Sequence, residues 1–294
     1  MIRGSFIMDT PFRLSGHKAV LHSLAGIAGF VLLQIGAGSL IFRLIPAMAA
    51  AQLINGLVSI ALLLAFLFVY CTRVLRITLA DCRVKKPRHL CIWLVIAVAL
   101  PVLVSAFFLL FVPGIFAYEN PDTKAMAGIF SRAVFGVCLA AGISEELIFR
   151  GYVMRILEAR WGKAPAILVP SVIFGLLHIA NMKAPNLMDI LVLLIAGTSA
   201  GVMFSLIAYQ SDSIWPGSIV HGVWNFIIIG NILDIGVEHG GTSLWTYTLE
   251  SDSTLVTGGT FGIESSLPAI LGYLCVIGLA IFLQNRKPKV SAPG

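Results

Sequence analysis

Ala140-Ala-Gly-Ile-Ser-Glu145-Glu146-Leu-Ile-Phe-Arg150-Gly-Tyr-Val-Met-Arg-Ile156 places two adjacent carboxylates and a guanidinium at the end of a long apolar run. The chain around it has 294 residues, 58% hydrophobic and 12% charged. A soluble domain carries about 25% charged residues. The run is therefore read as a helix inside a bilayer, and the fold class as all-α, a polytopic membrane protein. A charge in hydrocarbon forfeits its hydration, so an acidic pair placed there points to function once its partners can be named.

Working outward, the apolar runs predict about eight transmembrane helices, near 19–42, 51–71, 90–115, 125–149, 165–181, 187–209, 213–233 and 266–283. They form one integral membrane domain, 1–294, whose core helices occupy about 125–232. No signal peptide is visible, and the first run is long enough to read as a retained span. The fourth helix is expected to run on to about Glu158, and Trp161-Gly-Lys-Ala-Pro165 to turn the chain. Pro101 predicts a kink in the third span. Gly197 and Gly201 stand at the spacing that lets helices pack closely. Residues 234–264 are polar, with acidic groups and no Lys or Arg, and Leu244–Leu249 alternates weakly, like a hairpin arm.

Sixteen of the 20 Lys and Arg fall in the tail 1–18, the loop 72–89, the segment 150–163 and the C-terminal tail. Such a bias marks the cytosolic side. Both termini are then cytoplasmic, and a bacterial inner (cell) membrane is the expected location. The net charge of +6 is absorbed by this bias, so no nucleic-acid partner is expected. The five cysteines form no CxxC pair and give no metal or disulfide signal.

Three polar side chains in the spans are candidate partners for the carboxylates. Glu145 and His178 lie at similar distances before and after the turn near residue 161, so an antiparallel helix pair brings them to one level. His221 and Asn225 are four residues apart and share a helix face. Glu146 and Arg150 have the same spacing, which also suits a purely structural ion pair. Phe174, four residues before His178, reads as packing, and Asn225 could serve only as a hydrogen-bonded bridge between helices.

Two chemistries fit these groups. In the first, Glu145, His178 and His221 hold a metal, zinc being the natural choice, with a fourth position for water and Glu146 as base. In the second there is no metal: Glu145 takes a proton from water that His178 orients, and His221 and Asn225 donate to a tetrahedral oxyanion. Both hydrolyse an amide, and neither needs a covalent nucleophile, for which no motif is present. A proton or ion relay in a transporter is the rival from another class, although no internal repeat supports it. A non-catalytic scaffold or immunity protein on the same fold is a third reading.

Glu145-Glu146-x-x-x-Arg150, Phe174-x-x-x-His178 and His221-x-x-x-Asn225, in this order and in separate spans, resemble the three motifs of the CPBP family of intramembrane proteases. That family includes CAAX prenyl endopeptidases and bacterial abortive-infection and bacteriocin-immunity proteins. The resemblance covers about residues 125–232, and Gly258-Gly-Thr-Phe-Gly-Ile-Glu264 resembles a segment of bacterial members. It implies an eight-span helical fold, with Glu145, His178, His221 and Asn225 as the catalytic set and Glu146 and Arg150 in support. It also implies a membrane-associated peptide or protein substrate, open to lipidation by analogy, and leaves both chemistries standing. Because His221 falls about eight residues into its expected span, cleavage is expected near the cytosolic half of the bilayer.

Overall fold

A computed structural model of the chain describes residues 12–182, 185–239 and 241–286. Arg3, Lys183, Lys287 and Lys289, which entered the charge count, lie outside the described residues. Among the described residues seven helices are long and apolar enough to cross a membrane: α1 Gly16–Leu44, α2 Met48–Leu75, α3 Leu90–Phe111, α4 Thr123–Trp161, α5 Lys163–Asn181, α6 Leu187–Ser211, and α8 Leu267–Asn285. Each answers an expected span to within a few residues. The exception is the expected span 213–233, which forms only the 14-residue helix α7, Trp215–Ile228. At 1.5 Å per residue that is roughly 21 Å, short of a hydrocarbon core of about 30 Å. Of the eight expected spans, seven are matched by helices of spanning length among the described residues, and the eighth by a short, largely buried helix.

The chain around 161 turns where the sequence demands it. Gly162 adopts a φ of 80°, a left-handed value that a side chain resists, and α4 stops there. Pro101 sits buried inside α3, which continues through it to Phe111. Helix α4 has two wide π-type stretches, Arg132–Ala141 and Leu147–Val153, flanking one regular turn, Gly142–Glu146. Such stretches recur at functional sites because they re-aim side chains along a helix.

The expected span 90–115 stops as a helix at Phe111, and its last two residues open a strand, β1 Gly114–Tyr118. It pairs antiparallel with β3, Trp245–Leu249, which also pairs parallel with β2, Leu233–Gly236. The alternation at 244–249 is therefore a strand in a three-stranded sheet, order β1-β3-β2, rather than an arm of a hairpin. The sheet closes one end of the bundle. At the other end the basic loop after α2 is tied to α4 by Arg83–Glu158 at 2.6 Å and to the end of α6 by Lys85–Asp212 at 2.9 Å. The basic segments 72–89 and 150–163 thus share one end, as the charge asymmetry requires.

Exposed leucines and valines such as Leu32, Leu40, Leu103 and Leu110 form the outer belt, a surface suited to lipid. Inside, buried apolar side chains form two clusters. One joins α3, α6, α7 and α8 through Trp93, Phe108, Phe204, Trp224 and Tyr273. The other joins α2, α4 and α5 through Leu63, Leu67, Phe149, Tyr152 and Phe174. The carboxylate pair of α4 lies where the two clusters meet.

Candidate active site

Glycines decide how closely the helices approach. A Cβ on Gly142 would stand 2.8 Å from the Gly222 Cα, and one on Gly222 would stand 2.7 Å from the Cys138 carbonyl oxygen. Helix α7 can therefore lie directly on α4, which sets His221 beside the carboxylates. A Cβ on Gly217 would come within 3.1 Å of Glu146 Oε2. The Gly197/Gly201 pair has the role its spacing implied. Gly197 meets the Gly175 backbone and Gly201 meets Ser171, so α5 and α6 pack face to face.

Arg150 and Glu146 are fully buried. Arg150 Nη1 donates to Glu146 Oε1 at 3.1 Å, and Nη2 donates to the Gly201 carbonyl at 3.1 Å. The guanidinium carbon lies 4.7, 5.3 and 5.7 Å from the ring centroids of Phe174, Phe204 and Phe149. An aromatic box and a carboxylate together compensate a cation that has left water. The pair is not merely an ion pair along one helix. His221 Nδ1 also donates to Glu146 Oε1, at 3.2 Å, and its Nε2 stands 3.8 Å from Glu145 Oε2. The His221 ring stacks on Phe204 at 4.7 Å and 18°. A continuous chain, Arg150–Glu146–His221–Glu145, runs through the site. With the Nδ1 proton on Glu146, the Nε2 face of the imidazole is turned to Glu145.

Glu145 is the accessible end of that chain. Its side chain is 21% exposed, against 0% for Glu146. Its Oε2 is buried and has no hydrogen-bond partner among the described residues. A buried carboxylate oxygen without a partner is a place where water or a reacting proton belongs.

His178 donates Nδ1–H to the Phe174 carbonyl at 2.7 Å, which leaves its Nε2 lone pair free of its own helix. Phe174, expected as packing, is the divider of the site. Its ring lies 4.5 Å from His178, 5.9 Å from His221 and under the Arg150 guanidinium. Asn225 lies on the same face of α7 as His221, and its Nδ2 donates to the Val137 carbonyl at 3.0 Å, bridging α7 to α4. An amide nitrogen has two hydrogens, so one donor remains after that bridge.

The expected metal ligands Glu145, His178 and His221 do not gather as a ligand set. Among the described residues no three His, Cys, Asp or Glu side chains stand close enough together to hold a metal ion. No step below passes through a metal.

The sequence reading missed Phe204 and Phe149, which complete the aromatic box, and the Gly201 carbonyl that takes the second Arg150 hydrogen bond. It quoted the 258–264 stretch without giving it a place. The structure folds that stretch into the site, with the Phe261 ring 6.1 Å from His178. His221 lies midway along α7, and His178 lies three residues before α5 ends at Asn181, away from the basic end. The site is nearest the sheet-bearing end, beside a polar cavity of about 1020 Å³ lined by Asn181, Asn186, Asp189, Asp234, Phe261 and others.

The molecule is a polytopic helical membrane protein with a buried carboxylate–histidine centre. Residues 127–227, about a third of the chain, match the family model described as Rce1-like, type II CAAX prenyl endopeptidase Rce1-like, so this core is similar to that protease family. Comparison of the chain with curated proteins gives no significant match.

Proposed function

We propose that the chain is an intramembrane endopeptidase that hydrolyses an amide bond of a membrane-associated peptide or protein with a water activated by Glu145. The observation that carries this reading is the buried chain Arg150–Glu146–His221–Glu145, with one unpartnered carboxylate oxygen at its accessible end. Glu145 takes a proton from water, and the resulting hydroxide attacks the scissile carbonyl. His178 accepts the water's other hydrogen through Nε2 and so orients it. The remaining Asn225 hydrogen is one donor at hand for the oxyanion, and His221 adds a second through Nε2–H when its ring is doubly protonated, Nδ1–H staying on Glu146. Glu146 and Arg150 act by fixing His221: one carboxylate oxygen receives both the guanidinium and the imidazole. Collapse of the intermediate breaks the C–N bond, and the proton held on Glu145 passes to the leaving amine. The position of His178 near the end of α5 supports a reaction toward the sheet-bearing end of the bundle.

The test compares membranes from cells holding the wild-type chain or Glu145→Gln at equal level, by cataloguing peptide termini. Termini present with wild type and absent with Glu145→Gln support proteolysis and identify the substrate. Identical catalogues, with both proteins inserted and accumulated, refute it and turn attention to ion flux or partner binding.

A further inference from the structure

The three-stranded sheet has two free edges, β1 and β2, because β3 lies between them. All three strands fall outside the core at 127–227. The ladder decides which groups of β2 stay unpaired. The Trp245 N–H donates to the Ile232 carbonyl at 3.0 Å, Leu233 stands in register with Trp245, and Ile235 stands in register with Tyr247. In a parallel ladder these facts commit the backbone groups of residues 232, 234 and 236 to β3. The N–H and C=O of Leu233 and Ile235 then point to the free edge. Among the described residues no group outside the sheet bonds to Ile235, although it is only 6% exposed. A buried peptide group in that position calls for a partner.

The same edge faces the polar cavity of about 1020 Å³ beside the site. Asp234, Ile235 and Gly236 of β2 stand in the cavity wall, and neither β1 nor β3 supplies a residue to it. Successive side chains of a strand point to opposite faces, so a cavity lying over one face meets alternate residues. Three consecutive residues line this one, and it therefore runs along the edge. Its volume lies at the top of the range of about 300–1,000 Å³ typical of small-molecule sites, which leaves room for a segment of polypeptide. Phe261 and Asn181 belong to the same wall. The Phe261 ring lies 6.1 Å from His178, and Asn181 ends the helix that carries His178. At about 3.3 Å per extended residue, a chain passing Phe261 reaches His178 in roughly two residues.

We propose that β2 is the substrate-binding edge of the protein: the polypeptide to be cut lies in the cavity as an added strand, paired through its backbone with Ile235. The inference rests on the hydrolytic reading above and adds how the substrate is held. A segment embedded in lipid is helical, because lipid offers no other partner for its N–H and C=O groups. Its carbonyls are then closed in helical hydrogen bonds. Unwinding frees the scissile carbonyl for attack but orphans its neighbours. An edge strand replaces the lost bonds, as in other cases of strand addition. Main-chain pairing accepts many side chains, so the edge selects an extended, unwound segment.

The first test needs no natural substrate. It uses the full-length chain in lipid nanodiscs, which leave both faces open, with Glu145→Gln to prevent turnover and Val237→Cys as reporter. Val237 follows β2 directly and lines the cavity. Mass spectrometry reads the rate at which a water-soluble maleimide alkylates position 237. The probe is a pool of random-sequence nonapeptides blocked at both ends, and it should slow alkylation about fivefold. The same pool N-methylated throughout has no N–H to offer and should leave the rate unchanged. No slowing by the first pool, or equal slowing by both, overturns the proposal. With a substrate from the terminus comparison, Ile235→Pro removes one outward N–H and no ladder bond. It should raise KM about tenfold, the loss expected when a buried hydrogen-bond partner is left unpaired. An unchanged KM also overturns the proposal, and the alkylation test does not depend on the stability of that variant. Protection of position 237 by the first pool alone, with no substrate found, supports the peptide-binding edge and counts against the hydrolytic reading alone.

Discussion

Arg150→Met removes a guanidinium that is fully buried between Glu146, the Gly201 carbonyl and three aromatic rings. Methionine restores much of the apolar volume, so the cost is electrostatic. Glu146, with no exposed surface, would keep only His221 as partner. Breaking one side of a buried ion pair costs about 3–5 kcal/mol, because the orphaned charge remains buried. The lower figure is already roughly a hundredfold in the ratio of folded to unfolded protein. Gly201 contributes less, since its carbonyl still accepts from Ser205 Oγ at 2.9 Å. The double variant Glu146→Gln/Arg150→Met removes the orphaned charge and should recover at least half of the loss. The assay is reversible unfolding in mixed micelles, with the single and double variants measured side by side. A single-variant loss below about 1 kcal/mol, or a double variant no more stable than the single, would refute the argument that charge matching holds this pair in place.

Gly142→Ala places a Cβ 2.8 Å from the Gly222 Cα, so α4 and α7 must part by several tenths of an ångström. We expect hydrolysis to fall about a hundredfold with helix content unchanged, since a shift of about 1 Å at a reacting pair has that effect; activity within twofold of wild type, measured on the identified substrate, contradicts it. Glu145→Gln should abolish turnover, whereas Asn225→Ala should slow it by about two orders of magnitude with little change in KM, as loss of an oxyanion donor does. A rise in KM alone would assign Asn225 to its bridge with Val137. A cysteine introduced at Asn181 should react with a membrane-impermeant reagent from the outer face of the membrane, and one at Arg88 only from the cytosolic face, because the two positions lie at opposite ends of the bundle; the reverse pattern sinks the proposed sidedness.

Much of this architecture is legible in the sequence because hydrocarbon imposes strict rules. Continuous apolar runs fix the helices, Gly162 fixes the turn, and Gly197 and Gly201 fix a helix contact by their spacing alone. The motif residues are legible for a related reason: a Glu, a His or an Asn inside a span is conspicuous. What sequence periodicity does not carry is contact between distant segments. The strand at 245–249 pairs with 114–118, whose first two residues the apolar run assigns to a span, because hydropathy does not distinguish a membrane-end strand from the tail of a helix. Glu146 was assigned to Arg150 from its spacing of four, and its contact with His221, 75 residues away, has no local signature. The contact of Phe261 with His178 has no local signature for the same reason, since it comes from a polar stretch that lacks any span to frame it. Helix α7 was overestimated because Ile229, Ile232 and Leu233 extend its apolar run, while the backbone turns into a strand at Leu233.

The brevity of α7 bears on how the protein is made. Fourteen residues gain too little from lipid to be held across a bilayer unaided, and nine of them are buried against protein. Its place is set by α4, through Gly142 and Gly222, and by α3 and α8, which are synthesised before and after it. His221 therefore reaches Glu145 only after α7, made more than 50 residues later in the chain, has packed on α4. A nascent chain that ends before Trp215 carries the carboxylates without the histidine, and the centre is assembled late.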